Sequence, residues 1–118
     1  MTVDEAIRDL LNISTDIRSV AVLGADRGDS VACGPAAAAS GLAAAADRLW
    51  DAATSRAAAL HDAALDHIVV QDSAGAVTVL QADGRRIAAL TGARPAVGLL
   101  LFDLRTCLSD AFAREDPA

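Results

Sequence analysis

The chain has 118 residues, enough for one domain with its own core and too few for two. Hydrophobic residues make up 53% of it and aromatic ones only 3%, with alanine at about a quarter of all positions, so the core has to be assembled from many small contacts. All 10 basic residues are arginine, which removes P-loop, Schiff-base and general-base lysine chemistry, and a net charge of -6 repels phosphate backbones and anionic headgroups, so neither nucleic acid nor membrane is an expected partner.

Thr2 followed by Glu5 is a capping-box pattern, and Val3, Ala6, Ile7, Leu10 and Leu11 recur behind it at helical spacing, which predicts a first helix of about three turns. Residues 19–24 are a β-compatible run, residues 25–29 (ADRGD) form a turn with Gly28 available for positive φ, and residues 30–34 return as the second strand of a hairpin. From Pro35 to about Leu60 the composition is that of a long helix, with Ser40 and Gly41 as an alternative start. Within it Leu42, Ala46, Leu49, Ala53 and Leu60 share one line, while Ala39, Ala43, Trp50, Ala57 and His61 lie on its flank. The apolar arc is therefore about half the circumference, wider than one sheet contact needs, and asks for a second covering surface.

Residues 65–71, 76–82 and 86–91, separated by turns at residues 73–75 and 83–84, predict a three-stranded meander. Ile68 and Val70 alternate with Val69, and Val77 and Val79 with Leu80, so the sheet is expected to be covered on both faces. After the breaker GARP, the residues Val97, Leu100, Leu101, Leu104, Cys107, Leu108 and Ala111 fit one helical stripe, and a charged tail follows at residues 114–118. Together these elements predict a single α/β (α+β) domain over residues 1–113. It is a three-layer α/β/α sandwich with a five-stranded antiparallel sheet, the long helix on one face and the two terminal helices on the other.

Chemistry is sparse in this pattern. Cys33 and Cys107 lie far apart without CxxC spacing, and no signal-peptide pattern or membrane-length apolar run precedes them, so two reduced thiols in a cytoplasmic protein are expected. His61 and His67 stand near Asp62 and Asp66 at a spacing that matches no metal-ligand set. There is no G-x-S-x-G elbow and no glycine-rich phosphate loop, and 14 of the 16 acidic residues are Asp scattered over turns and polar faces. The expectation is no catalytic residue, no cofactor and no metal. Trp50, beside Ala43, Thr54 and Ala57, reads either as a core residue or as the centre of a contact surface, since small neighbours permit close helix approach. Arg27, Arg85 and Arg86 sit at hairpin turns, either solvated or touching an acidic partner.

Three stretches, IRSVAVLGADRGDSVACG, GAVTVLQADGRRIAAL and VGLLLFDLR, together with the element order, resemble the Roadblock (dynein light chain) family over nearly the whole chain. Two departures stand out: the first turn reads Asp26-Arg27-Gly28 rather than a bare Asp-Gly, and Arg94-Pro95 precedes the last helix where an Asn or Asp cap is expected. The resemblance implies a profilin-like domain that forms a homodimer, or a heterodimer with a paralogous Roadblock protein. In such a dimer the third strands pair across a twofold axis and the long helices lie side by side, which makes Ala43, Trp50, Thr54, Ala57, Ile68, Val69 and Val70 the expected interface. The residues ask for the same thing, because an apolar strand over 68–70 left at a sheet edge invites another chain. Family members commonly bind small Ras-like GTPases or serve as adaptor subunits. The leading expectation is thus a non-enzymatic dimeric regulator or scaffold of a small GTPase, acting on its switch loops, with Arg27, Arg85 and Arg86 as candidate partner contacts. An adaptor recruiting a kinase or motor-type assembly is the alternative, and a small-molecule sensor the third reading.

Overall fold

The hydrophobic spacing resolves into eight elements: α1 (Val3–Ile13), β1 (Ile17–Leu23), β2 (Ser30–Cys33), α2 (Ala36–Leu60), β3 (His67–Gln71), β4 (Ala76–Ala82), β5 (Arg85–Thr91) and α3 (Val97–Ala111). The computed structural model describes residues 3–14, 16–23, 30–33, 36–60, 64–82 and 84–112. The strands form one antiparallel sheet in the order β2-β1-β5-β4-β3. β2 and β3 are its two edges, and α2 lies between them in sequence. Four strand spacings separate those edges by about 19 Å. The 25 residues of α2 measure about 38 Å, and the helix packs chiefly on β1, β2 and β5.

Strand alternation sorts the core into two clusters. Val20 and Val22 of β1, Leu80 of β4, and Ile87 and Ala89 of β5 pack with α1 and α3. Ala21, Leu23, Val79 and Ala88 point the other way, against Leu42, Ala46 and Trp50 of α2. Strands that are apolar at both parities therefore sit under helices on both sides, as their sequence demands. Ala6, Ile7 and Leu10 anchor α1 at no more than 2% exposure. Burial of a side chain such as Ile7 or Leu10 contributes about 1.5–3 kcal/mol. In α3 the buried residues Leu100, Leu104, Cys107, Leu108 and Ala111 follow the predicted stripe.

Several boundaries differ from the sequence expectation. β1 starts at Ile17, two residues early, because a bulge between Ile17 and Ser19 lets the chain rejoin β5. β3 starts at His67 rather than residue 65, while the Asp66 carbonyl still accepts the Gln81 N–H at 3.2 Å. β5 includes Arg85, in register with Ala82. The expected line of α2 also needs correction: the buried row is Leu42, Ala46 and Trp50, spaced four apart, whereas Leu49 is half-buried and Leu60 is 78% exposed. Thr2, the hairpin turn at residues 25–29 and Pro35 lie outside the described residues. α3 begins at Val97 without a side-chain cap on Ala96, so the Asn or Asp expected there has no substitute.

Two turns set the meander. Asp72 Oδ1 accepts the N–H groups of Ala74 at 2.8 Å and Gly75 at 2.9 Å, closing the β3–β4 connection as an Asx turn. Gly84 holds φ at 77° in the β4–β5 connection, a left-handed geometry that glycine adopts without penalty.

Candidate protein-interaction surface

Among the described residues β3 pairs with β4 and with no strand on its other side. The Asp66 carbonyl accepts from Gln81 and the Asp72 N–H donates to the Gly75 carbonyl, both toward β4. Alternation along a strand then turns the backbone groups of Ile68 and Val70 toward β4 as well, and those of His67, Val69 and Gln71 toward the open edge. The edge is short but apolar: Ile68 and Val69 are half-buried and Val70 is 49% exposed.

The side chains flanking this edge extend the apolar surface. Ile68 and Val70 stand opposite Val79 and Val77 of β4 and so share the α2 side of the sheet. Leu65, Ile68, Val77 and Leu90 are packed against the α2 cluster but only partly covered. On α2 itself, no residue after Trp50 is buried; Ala53 and Ala57 are half-buried and Thr54 is exposed.

Trp50 corrects the expectation that placed it at an intermolecular contact. Its side chain is 3% exposed and belongs to the α2 core cluster, where it supplies the bulk that Ala21, Ala46 and Ala88 lack. Arg86, expected to reach a partner, is held inside the chain as well. Its Nε donates to Gln81 Oε1 at 2.8 Å, its Nη1 lies 3.0 Å from Asp47 Oδ1, and its guanidinium sits 5.1 Å from the Trp50 ring centroid. This cation ties β5 and β4 to α2 through its Nε and Nη1 donors. Arg85 lies over the Phe112 ring, 4.0 Å from the centroid. Arg27 is outside the described residues, and Ala43 is half-buried beside the α2 cluster.

Asp66 collects charge next to the edge strand. Its carboxylate accepts from Arg105 of α3 at 2.6 Å and lies 3.1 Å from His67 Nδ1. The hydrogen bond from His67, with the Arg105 charge beside it, holds the Asp66 carboxyl below the usual range. This Asp66–Arg105 pairing links α3 to the start of β3, and no periodicity in the sequence announces it. Burial, aided by Asp110 and Asp9, pushes the Cys107 thiol up to about 12, which keeps it protonated and unreactive at neutral pH. His61 lies outside the described residues, and among the described residues no group of three or more His, Cys, Asp or Glu is placed to hold a metal ion. No described helix is long and apolar enough to cross a membrane.

No family model and no curated protein matches the chain. Its structure is similar to the crystal structure of a Roadblock/LC7 domain from Streptomyces avermitilis, with a TM-score of 0.82, 18% sequence identity, and 98% of each chain covered. The chain thus has the fold of a Roadblock/LC7 domain, and the resemblance read from its three sequence stretches extends to the whole domain.

Proposed function

We propose that this chain is a non-catalytic protein-interaction domain of Roadblock type. In this reading it pairs through β3 with a second copy or a paralogous chain and presents the dimer, in the cytoplasm, as a scaffold or regulator for a small Ras-like GTPase. The observation that carries the dimer is the open β3 edge with its apolar flank. A twofold centred on Val69 sets His67 of one copy opposite Gln71 of the other, and the outward backbone groups then exchange roughly six hydrogen bonds, each worth about 0.5–1.5 kcal/mol net. Ile68 and Val70 close the apolar surface beside that ladder, and the small side chains of Thr54 and Ala57 let two α2 helices approach.

The small GTPase as partner rests on the resemblance and the shared fold. The dimer surface acts by favouring one arrangement of the GTPase's own switch loops, a population shift that requires differential binding and no cofactor. Arg27 and Arg85, which the sequence places near hairpin turns, are the candidate contacts for an acidic partner surface. Val69→Pro tests both levels. The Val69 N–H points away from β4, so proline removes an edge donor while leaving the β3–β4 ladder intact. The variant is expected to sediment as a folded monomer. GTP turnover by any small GTPase found encoded beside this gene is expected to change with the wild-type chain and not with the variant. Absence of binding and of any rate change would overturn the GTPase assignment, and capture dominated by other proteins would favour the adaptor reading.

A further inference from the structure

Three large apolar side chains are exposed together on the face of the molecule away from the sheet: Ile13 at the end of α1 is 68% exposed, and Leu99 and Phe102 of α3 are 62% and 67% exposed. They border two adjoining depressions between α1 and α3, of about 210 Å³ and 230 Å³, which share Ile13 and Asp103. Among the described residues, the charged ones lining the two are Asp16 and Asp103 in one and Asp9, Asp103 and Asp110 in the other, with no described arginine in either. Asp9, Cys107 and Asp110 line the second depression together.

We propose that this α1–α3 groove docks a basic amphipathic helix of a partner protein. A helix suits it because α1 and α3 satisfy their own backbone groups along the groove and leave no ladder for an added strand, so recognition falls to side chains entering between the helices. From Leu99 to Asp110 the groove runs about 17 Å, the length of roughly three helical turns. Apolar residues at i, i+3 or i+4, and i+7 of such a helix reach Ile13, Leu99 and Phe102, and its flanking Lys or Arg meet the unopposed carboxylates. A second copy of this chain is the wrong occupant, because two grooves face to face would oppose carboxylate to carboxylate in a chain of net charge -6. None of the described lining residues belongs to β3 or α2, so the site is independent of the proposed dimer and remains open in it.

The probe is a fluorescein-labelled peptide, LRKLLRRLAKLLRK, of about four turns, titrated with the full chain at physiological salt and followed by anisotropy. Saturable binding is expected, weakened about tenfold or more by Phe102→Ala and by Asp103→Asn with Asp110→Asn. Asp51→Asn, on the opposite face, is expected to leave it within about twofold, because a single charge far from the contact is screened. A scrambled peptide of the same composition, in which the apolar stripe is broken, is expected not to saturate. Equal binding of the scrambled peptide, an equal effect of Asp51→Asn, or no binding of the probe would overturn the proposal. A change in the chain's own sedimentation on Phe102→Ala would also overturn it, by assigning the groove to a second copy. Phe102 is exposed, so its replacement leaves the fold intact, and far-UV circular dichroism verifies this.

Discussion

Trp50→Ala discriminates between a tryptophan that stabilises the single chain and one that joins two chains. The side chain is 3% exposed in the core between α2 and the sheet. A Trp of this kind buries about 150–250 Å², worth about 4–6 kcal/mol at 25 cal/mol per Å²; a compact unfolded state and the methyl retained by alanine reduce this to about 3–5 kcal/mol, the range measured for Trp→Ala in cores. Loss of the Arg86 contact at 5.1 Å removes a further increment of about 0.5–1 kcal/mol. A 118-residue domain carries about 6–18 kcal/mol in total, so the change removes a substantial fraction of it. Urea unfolding, followed by far-UV circular dichroism because the only Trp is gone, should show the midpoint falling by about 2 M. Running it at two protein concentrations separates loss of the fold from loss of association. A variant with unchanged monomer stability but weakened association would refute the core placement.

Arg86→Ala cuts the links to Gln81, Asp47 and Trp50 and should lower the melting temperature by about 4–8 °C, corresponding to about 1–2 kcal/mol; a double-mutant cycle with Asp47→Asn that shows no coupling would contradict this. Gly75→Ala should destabilise by about 1–3 kcal/mol, because an added Cβ would lie 2.5 Å from the Thr91 carbonyl oxygen, whereas Gly98→Ala meets nothing within 4 Å and should be neutral or stabilising. Comparison of the two melting curves checks the pair. The Cys107 thiol is raised from 9.0 to about 12 by burial and then by Asp110 and Asp9. Folding therefore favours the protonated form, a contribution complete below the unfolded thiol pKa and lost on raising the pH toward 12, at up to about 1.4 kcal/mol per pH unit. With no Tyr and no Lys in the chain, Cys107→Ala should flatten the fall in urea midpoint between about pH 9 and pH 11; identical slopes would contradict it.

Much of the architecture is legible in the residues. β4 starts at Ala76, where turn chemistry places it, because Gly75 punctuates the chain immediately before, and the buried stripe of α3 from Leu100 to Ala111 follows its helical spacing, although Arg94-Pro95 leaves the start of that helix open in the sequence. The start of β1 was less legible, since a bulge is a property of the pairing with β5 and not of local pattern. Trp50 shows the limit most clearly. A wide apolar arc on α2 says that two surfaces cover the helix, but periodicity alone does not say which half of the arc faces the chain's own sheet. The row Leu42, Ala46, Trp50 takes that half, leaving Thr54, Ala57 and Leu60 beyond it. The ties from Arg86 to Asp47 and from Arg105 to Asp66 each span 39 positions and depend on tertiary placement, so spacing carries no trace of them.

Residue-resolved amide hydrogen exchange, on either side of the concentration at which the chain associates, reads the β3 edge most directly. The amides of Ile68 and Val70 should be slow under both conditions, because they face β4, while those of His67, Val69 and Gln71 should exchange rapidly in dilute solution and become protected on association. Associated protein in which the Val69 amide still exchanges freely, or a chain that stays monomeric at every concentration, would contradict pairing through β3.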